Sequence, residues 1–387
     1  MTAGASFSRQ PLRRRALLSG AAGLCAAAAL GCRSVAAPVP AAGRQRLRLL
    51  GETTFPVRMQ FKGSTFGGLS GLDFDPASGL WAALSDDRSE LEPARFYTLR
   101  IGIHDGQRMV VEPLEVITLR QAAGTPFPPR RGGGEVVDPE ALRLLPGGRG
   151  LLWASEGDPK VNQGPGLREA RIDGSHVREF TMPPVLQLGP RPGIGPRDNL
   201  SFEGLALTPD ARGAWVSMEA ALQQDGATPK VGTEGGPCRL TLFDVATGRA
   251  TRQIAYIPDA IPSAPALLGG FADNGISEIL MLDARRMLVL ERAFMMGVGN
   301  SLRLYEIDTA DATDTLASDR LVAGQYRPAA KRLVADFSQV GLTHLDNTEA
   351  MAWGPPLPNG RRCLVFVSDD NFNPLQITQF AAFEYLD

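Results

Sequence analysis

Histidine, lysine and cysteine are all scarce in this sequence, and each scarcity removes a class of chemistry. Histidine occurs only at His104, His176 and His344. None is spaced as an HExxH or other paired motif, so a conventional zinc site is excluded. No Gly-x-Ser-x-Gly elbow, P-loop or dinucleotide fingerprint stands between a strand and a helix, which leaves serine-hydrolase and nucleotide chemistry without a basis. Lysine is confined to Lys62, Lys160, Lys230 and Lys331, so arginine carries nearly all the positive charge. There is no basic excess either. The formal net charge is −2, and it includes Arg9, Arg13, Arg14, Arg15 and Arg33 in a leading segment that holds no acid. The remainder is mildly acidic, and nucleic acid is not an expected partner.

What is abundant is glycine and proline, 43 and 30 residues spread along the whole chain. Such spacing reads as many short elements joined by turns. With 43% hydrophobic and 21% charged residues there is ample apolar material for a large core. The composition favours an all-β fold, and a single all-β unit can run well past 200 residues.

Residues 1–37 read as an export signal. Arg13-Arg14-Arg15 precedes an uncharged run through Leu30 that is rich in alanine and glycine, the pattern of a twin-arginine leader. The run falls short of the roughly 20 strongly apolar residues a membrane span needs, so no stable span is expected after processing. Two processing sites compete: cleavage near Ser34-Val35-Ala36, giving a periplasmic or secreted product, and lipidation of Cys32, giving an anchored one. Residues 44–387 remain as the folded domain, with Cys238 and Cys363 its remaining cysteines. A disulfide between them and two separate buried thiols fit the sequence equally well.

The most informative feature is an internal repeat. Five strand-like segments begin at Ser70, Glu140, Glu203, Glu278 and Glu349, spaced 70, 63, 75 and 71 residues apart. Each is followed, after a turn, by a second strand ending in acid: Asp86-Asp87, Glu156, Glu219, Glu291 and Asp369-Asp370. Third and fourth strands follow in most intervals, as in Arg95 to Ile101 and Met109 to Leu119. The fifth copy is one strand short, whereas Arg46 to Thr54 is a spare strand ahead of the first copy. Placing that strand in the last blade closes a ring and removes open sheet edges. The expected fold is a single β-propeller of five four-stranded blades, or six if the stretch from Thr309 to Gln339 hides another. Trp81, Trp153, Trp215 and Trp353 recur within the repeated strands as core residues.

Antiparallel pairing returns the end of each second strand to the start of the first, so the repeated acids converge on one mouth of the ring. Glu140, Glu203, Glu278 and Glu349, with Glu156, Glu219 and Asp369, are the expected cation ligands. Clustered oxygen ligands suit Ca²⁺, with Mg²⁺ as the alternative. Arg88, Arg131, Arg197 and Arg292 are candidates to bind an anion, and Arg197 and Arg292 are assigned to catalysis. His344 lies near the acids, where a plain loop role competes with a functional one.

Along these repeats the chain resembles the bacterial "esterase-like activity of phytase" family. The matching stretches are Leu69-Ser-Gly-Leu-Asp-Phe-Asp75, Asp138-Pro-Glu-Ala-Leu142, Asn199-Leu-Ser-Phe-Glu-Gly-Leu-Ala206, Glu291-Arg-Ala-Phe294, Asn347-Thr-Glu-Ala-Met-Ala-Trp353 and Ser368-Asp-Asp-Asn371. The resemblance implies a phosphoester or ester hydrolase, with a small anionic ester such as a phosphorylated polyol as substrate. A metal-assisted phosphate-ester hydrolase, acting as a monomer, is the leading expectation. A non-catalytic ligand-binding propeller of the cell envelope and a calcium-dependent lactonase or esterase on uncharged esters are the alternatives, since all three need a ring of oxygen ligands.

Overall fold

The computed structural model describes residues 45–104, 107–189 and 191–386. The leader, its processing sites and Cys32 lie outside these residues. Among the described residues no helix is long and apolar enough to cross a membrane.

Five four-stranded antiparallel blades form the ring. Blade 1 consists of Leu69–Asp75, Leu80–Ser85, Arg95–His104 and Gln107–Thr118, counted from the axis outward. Blade 2 holds Pro139–Leu145, Gly150–Ser155, Gly166–Ala170 and His176–Glu179. Blade 3 holds Phe202–Leu207, Gly213–Met218, Cys238–Asp244 and Arg249–Tyr256. Blade 4 holds Ala272–Met281, Arg286–Met295, Gly299–Asp308 and Lys331–Asp336. Blade 5 holds Thr348–Trp353, Cys363–Ser368 and Thr378–Tyr385, and its fourth strand is Leu47–Phe55. That N-terminal strand pairs antiparallel with Thr378–Tyr385 from Leu47↔Tyr385 to Phe55↔Thr378. It thereby joins the two ends of the chain and closes the ring, as the spare-strand argument requires. The stretch from Thr309 to Gln339 hides no sixth blade; it delivers the outer strand of blade 4.

Apolar side chains alternate along these strands and fill the spaces between blades, one cluster to each of the five interfaces. Leu142 and Trp153 of blade 2 meet Leu84 and Phe96 of blade 1, for example, and Leu290 and Leu304 of blade 4 meet Phe366 and Phe383 of blade 5. Each large side chain buried this way contributes about 1.5–3 kcal/mol. Trp81, Trp153 and Trp215 are core residues in three different interfaces. Cys238 and Cys363 are buried free thiols. Cys238 packs between blades 3 and 4 and Cys363 between blades 5 and 1, so separate clusters hold the two residues and no disulfide links them.

The axis is plugged by an ion pair. Arg143 Nη2 donates to Glu278 Oε2 at 2.8 Å, and both side chains are fully buried. The Arg143 guanidinium also donates to the carbonyls of Leu72, Ile279 and Met351, while Glu278 Oε1 accepts from Leu205 N–H. Blades 1, 2, 3, 4 and 5 all contribute to this one knot. Burial pushes the Glu278 carboxyl up to about 7, with Arg143 pulling it back.

Candidate functional site

Each inner strand carries a register shift, near its start in blades 1, 2, 3 and 5 and mid-strand in blade 4: at Ser70, Glu140, Glu203-Gly204, Ser277 and Glu349 the chain takes an extra residue that the second strand does not match. A bulge of this kind re-aims a side chain out of the sheet. In blades 2, 3 and 5 that residue is a glutamate and it faces the mouth. In blades 1 and 4 it is a serine, and the hydroxyl ties neighbouring blades: Ser70 Oγ donates to Pro139 O and Ser277 Oγ to Thr348 O.

This register corrects the fourth copy of the sequence repeat by one residue. Ser277, not Glu278, matches Glu140, Glu203 and Glu349. Because strand side chains alternate, a one-residue slip sends Glu278 to the other face, where it meets Arg143 at the axis. The second strand shifts with it. Ile276 pairs with Glu291 as Thr348 pairs with Ser368, so Arg292 occupies the place held by Asp86, Glu156, Glu219 and Asp369 in the other blades. Glu291 is tied off behind the mouth by Tyr256, Asn274 and Lys331. Asp87 is likewise spent on Arg95, at 2.7 Å, and on the N–H groups of Glu90 and Glu92.

The remaining acids come together. A cavity of about 1170 Å³ opens at the mouth and is lined by Asp86, Glu140, Glu203, Glu219, Glu349 and Arg292, among others. Two groups of buried carboxyls have one oxygen each within 4.8 Å of the others: Asp138, Glu140 and Glu156, and Glu156, Glu203 and Glu219. Glu156 belongs to both, and its Oε1 also accepts from Ser201 N–H. On the blade 5 side Asn347 Nδ2 bridges Glu349 and Asp369, at 2.8 and 3.0 Å. Arg292 lies between Glu219, at 3.3 Å, and Glu349, at 3.6 Å. Arg88 pairs with Asp138 and donates to Asn199. Arg197 is not among the cavity's lining residues; its guanidinium donates to the carbonyls of Ala221 and Gly226.

Asp138 was missing from the ligands expected from sequence. It stands two residues before Glu140, as Asn347 stands before Glu349, and that shared offset was the available signal. Asp138 O accepts from Glu156 N–H as Asn347 O accepts from Asp369 N–H, at 2.9 and 2.8 Å.

So many buried acids cannot all ionise without help. Burial raises Asp86, Glu140, Glu156, Glu203 and Asp369 well above the ordinary carboxylate range, and neighbouring carboxyls add to the rise. Glu219 is pushed up to about 7 by burial, with Arg292 opposing, and Asp138 to about 6, with Arg88 opposing. Burial lifts Glu349 too, against Arg292. Arg292 itself is held firmly charged, the surrounding carboxylates outweighing its burial. Asp86 Oδ1 is buried with no hydrogen-bond partner. An all-oxygen donor set free of thiol and imidazole, with an unsatisfied carboxyl oxygen beside it, fits a hard divalent cation.

Fold and mouth together define a five-bladed β-propeller with an acidic, cation-compatible cavity on its axis. The chain belongs to the phytase-like family, described as esterase-like activity of phytase, which it matches over residues 64–372. No curated protein matches the sequence. Among solved structures, the periplasmic gluconolactonase of Pseudomonas aeruginosa is similar at 16% identity, with 86% of this chain and 88% of that one covered and a TM-score of 0.35. A gluconolactonase of Xanthomonas campestris is similar at 11% identity, covering 88% and 95%, with a TM-score of 0.36. A bifunctional GH43-CE protein of Bacteroides eggerthii reaches a TM-score of 0.44 at 7% identity, with 86% of this chain covering 34% of its length.

Proposed function

We propose that the mouth is the active site of an exported, divalent-cation-assisted ester hydrolase. The observation that carries this reading is the pair of buried carboxyl clusters sharing Glu156, of which Glu140, Glu203 and Glu219 line an open cavity. Asp138, Glu140, Glu156, Glu203 and Glu219 are assigned as the residues that hold the cation, Ca²⁺ being preferred for its tolerance of irregular oxygen cages. Glu349 and Asp369, held together by Asn347, are assigned to a supporting position on the far wall. A bound divalent cation supplies Lewis acidity toward an ester oxygen. Arg292, fixed between Glu219 and Glu349, supplies permanent positive charge beside the negative charge that develops on that oxygen. Asp86, whose Oδ1 is buried without a hydrogen-bond partner, is assigned as a further oxygen ligand beside the clusters. Arg197 is left out of the mechanism and Glu278 out of the ligand set, because both side chains are committed elsewhere.

Phosphate monoesters remain the first substrate class to test, in keeping with the family's description. Uncharged esters and lactones are the second reading, and one observation favours them. Both guanidinium groups that line the cavity, Arg88 and Arg292, already face carboxylates, so an anionic substrate would depend on the cations for its recognition. The test is elemental analysis of the purified protein followed by hydrolysis assays on a phosphate monoester and a lactone, with and without chelator. Bound calcium and chelator-sensitive turnover of either class support the reading. A protein that takes up no divalent cation and hydrolyses neither class refutes it and leaves a binding propeller.

A further inference from the structure

The cavity is chemically two-sided. Its cation-holding clusters belong mainly to blades 2 and 3, whereas most of its large apolar side chains, Phe271, Phe294, Leu345, Leu375 and Ile377, come from the side of blades 4 and 5, where they stand among Asp273, Arg292, Asp346 and Glu349. Phe271 and Phe294 face one another with ring centroids 6.2 Å apart. Phe271 is 56% exposed and Leu375 90% exposed, while Phe294, Leu345 and Ile377 are half-buried, so the apolar surface runs from the rim into the cavity. Both rim residues are fixed by backbone hydrogen bonds. Phe271 O accepts from Met296 N–H at 2.9 Å, and Leu375 N–H donates to Asn373 Oδ1 at 3.0 Å. The amides of Asn199, Asn274, Asn300, Asn347, Asn371 and Asn373 also line the cavity, all but the first on the side of blades 4 and 5. These groups match neutral carbonyl and hydroxyl oxygens.

Large apolar side chains held open inside a polar cavity cost solvation unless a ligand covers them, and small-molecule sites combine such a wall with a few oriented polar groups. Resting on the ester-hydrolase reading, we propose that the substrate carries an apolar acyl or aryl group beside its ester bond. The ester oxygens lie toward blades 2 and 3, and the apolar group is seated against Phe271 and Leu375. A bare phosphorylated polyol leaves that wall uncovered. The occupant is a part of the substrate and not a membrane, because the wall continues inward to the carboxyls of the same cavity.

The experiment is calorimetric titration of the calcium-loaded protein with N-methylacetamide, N-hexylacetamide and N-benzylacetamide, neutral analogues read by binding alone. Roughly fourfold tighter binding per added methylene is the upper expectation for full burial, so the hexyl and benzyl compounds should bind at least tenfold more tightly than the methyl compound. Phe271→Ser and Leu375→Ser should each reduce that gain severalfold. They sit on separate loops, so a folding defect in one leaves the other to decide. Equal affinity across the series, or an undiminished gain in both variants, overturns the inference. Esterase assays separate the two proposals: a chain-length gain in binding with no hydrolysis of any ester sinks the hydrolase reading alone. Methyl and hexyl esters hydrolysed with equal kcat/KM sink this inference alone.

Discussion

Most proteins lose stability in acid because paired carboxylates must be protonated. This propeller should do the opposite when stripped of divalent cations. An acid whose folded pKa is raised binds its proton more tightly in the native state, so its contribution is intact below the unfolded pKa and is lost as pH rises through the folded one. Glu219 and Glu278, each pushed up to about 7, and Asp138, pushed up to about 6, all have that sign. Between pH 6 and 8, Glu219 and Glu278 should each cost about 1 kcal/mol and Asp138 a fraction of that, at roughly 1.4 kcal/mol per unit of differential pKa. Glu140, Glu156, Glu203, Asp86 and Asp369 are raised well above the ordinary carboxylate range and have the same sign. In chelator the melting temperature should therefore fall by about 5 °C or more from pH 6 to pH 8, taking a few degrees per kcal/mol. Calcium at a hundred times its Kd should return about 2.7 kcal/mol at pH 8. The assay is a set of thermal melts by circular dichroism across that pH range, with chelator and with added calcium. A melting temperature that is flat or rises with pH in chelator, and does not respond to calcium, refutes the argument that these carboxyls are held together against their repulsion.

The axial knot gives a second prediction. Arg143→Ala leaves Glu278 buried and uncompensated and should cost about 3–5 kcal/mol, whereas the paired apolar change Arg143→Met with Glu278→Leu should recover much of that in a denaturant melt. Glu278→Gln should leave calcium stoichiometry unchanged, while Glu156→Ala, which removes the residue common to both clusters, should lower it; elemental analysis checks both. Deleting residues through Phe55 removes the outer strand of blade 5 and should give an open, aggregating ring, read by size-exclusion chromatography. Reductant should leave the melting temperature of the propeller unchanged, because Cys238 and Cys363 are separate thiols.

Blade count and ring closure were legible because both rest on strand-length regularities that survive noise. The apolar alternation of Leu142, Leu205 and Met351 recurs wherever an inner strand packs against its neighbour, and a missing last strand beside a spare first one admits few arrangements. The ligand set was less legible for a specific reason. A bulge in every inner strand breaks the period-two rule at the one place where the functional side chain sits. In four copies the residue before the Gly or Ala step is visible by eye, as in Glu203-Gly204 and Glu349-Ala350. In the fourth blade Glu278 occupies that step itself and imitates the repeated acid, and Ser277 passes unnoticed. The same displacement hid the meaning of Glu291-Arg292, where the acid supports Lys331 from behind and the arginine takes the ring position.

That substitution of charge is what makes the mouth asymmetric. A uniform ring of ten acids would have no preferred place for a cation and no fixed positive charge. With serine at two of the bulge positions and Arg292 set between Glu219 and Glu349, the carboxyl clusters gather on blades 2 and 3, and blade 4 supplies Arg292 as their fixed positive charge. A repeat fold thus obtains a directional site by breaking its own repeat in two blades, at both ring positions in blade 4. Arg292→Glu tests this directly. Restoring the acid would bring a further carboxyl against Glu219 and Glu349 and remove their counter-charge. The variant should melt several degrees lower in chelator, with a larger calcium-induced recovery than the parent protein. A variant equally stable in chelator would mean that the arginine is not the element that holds the two sides together.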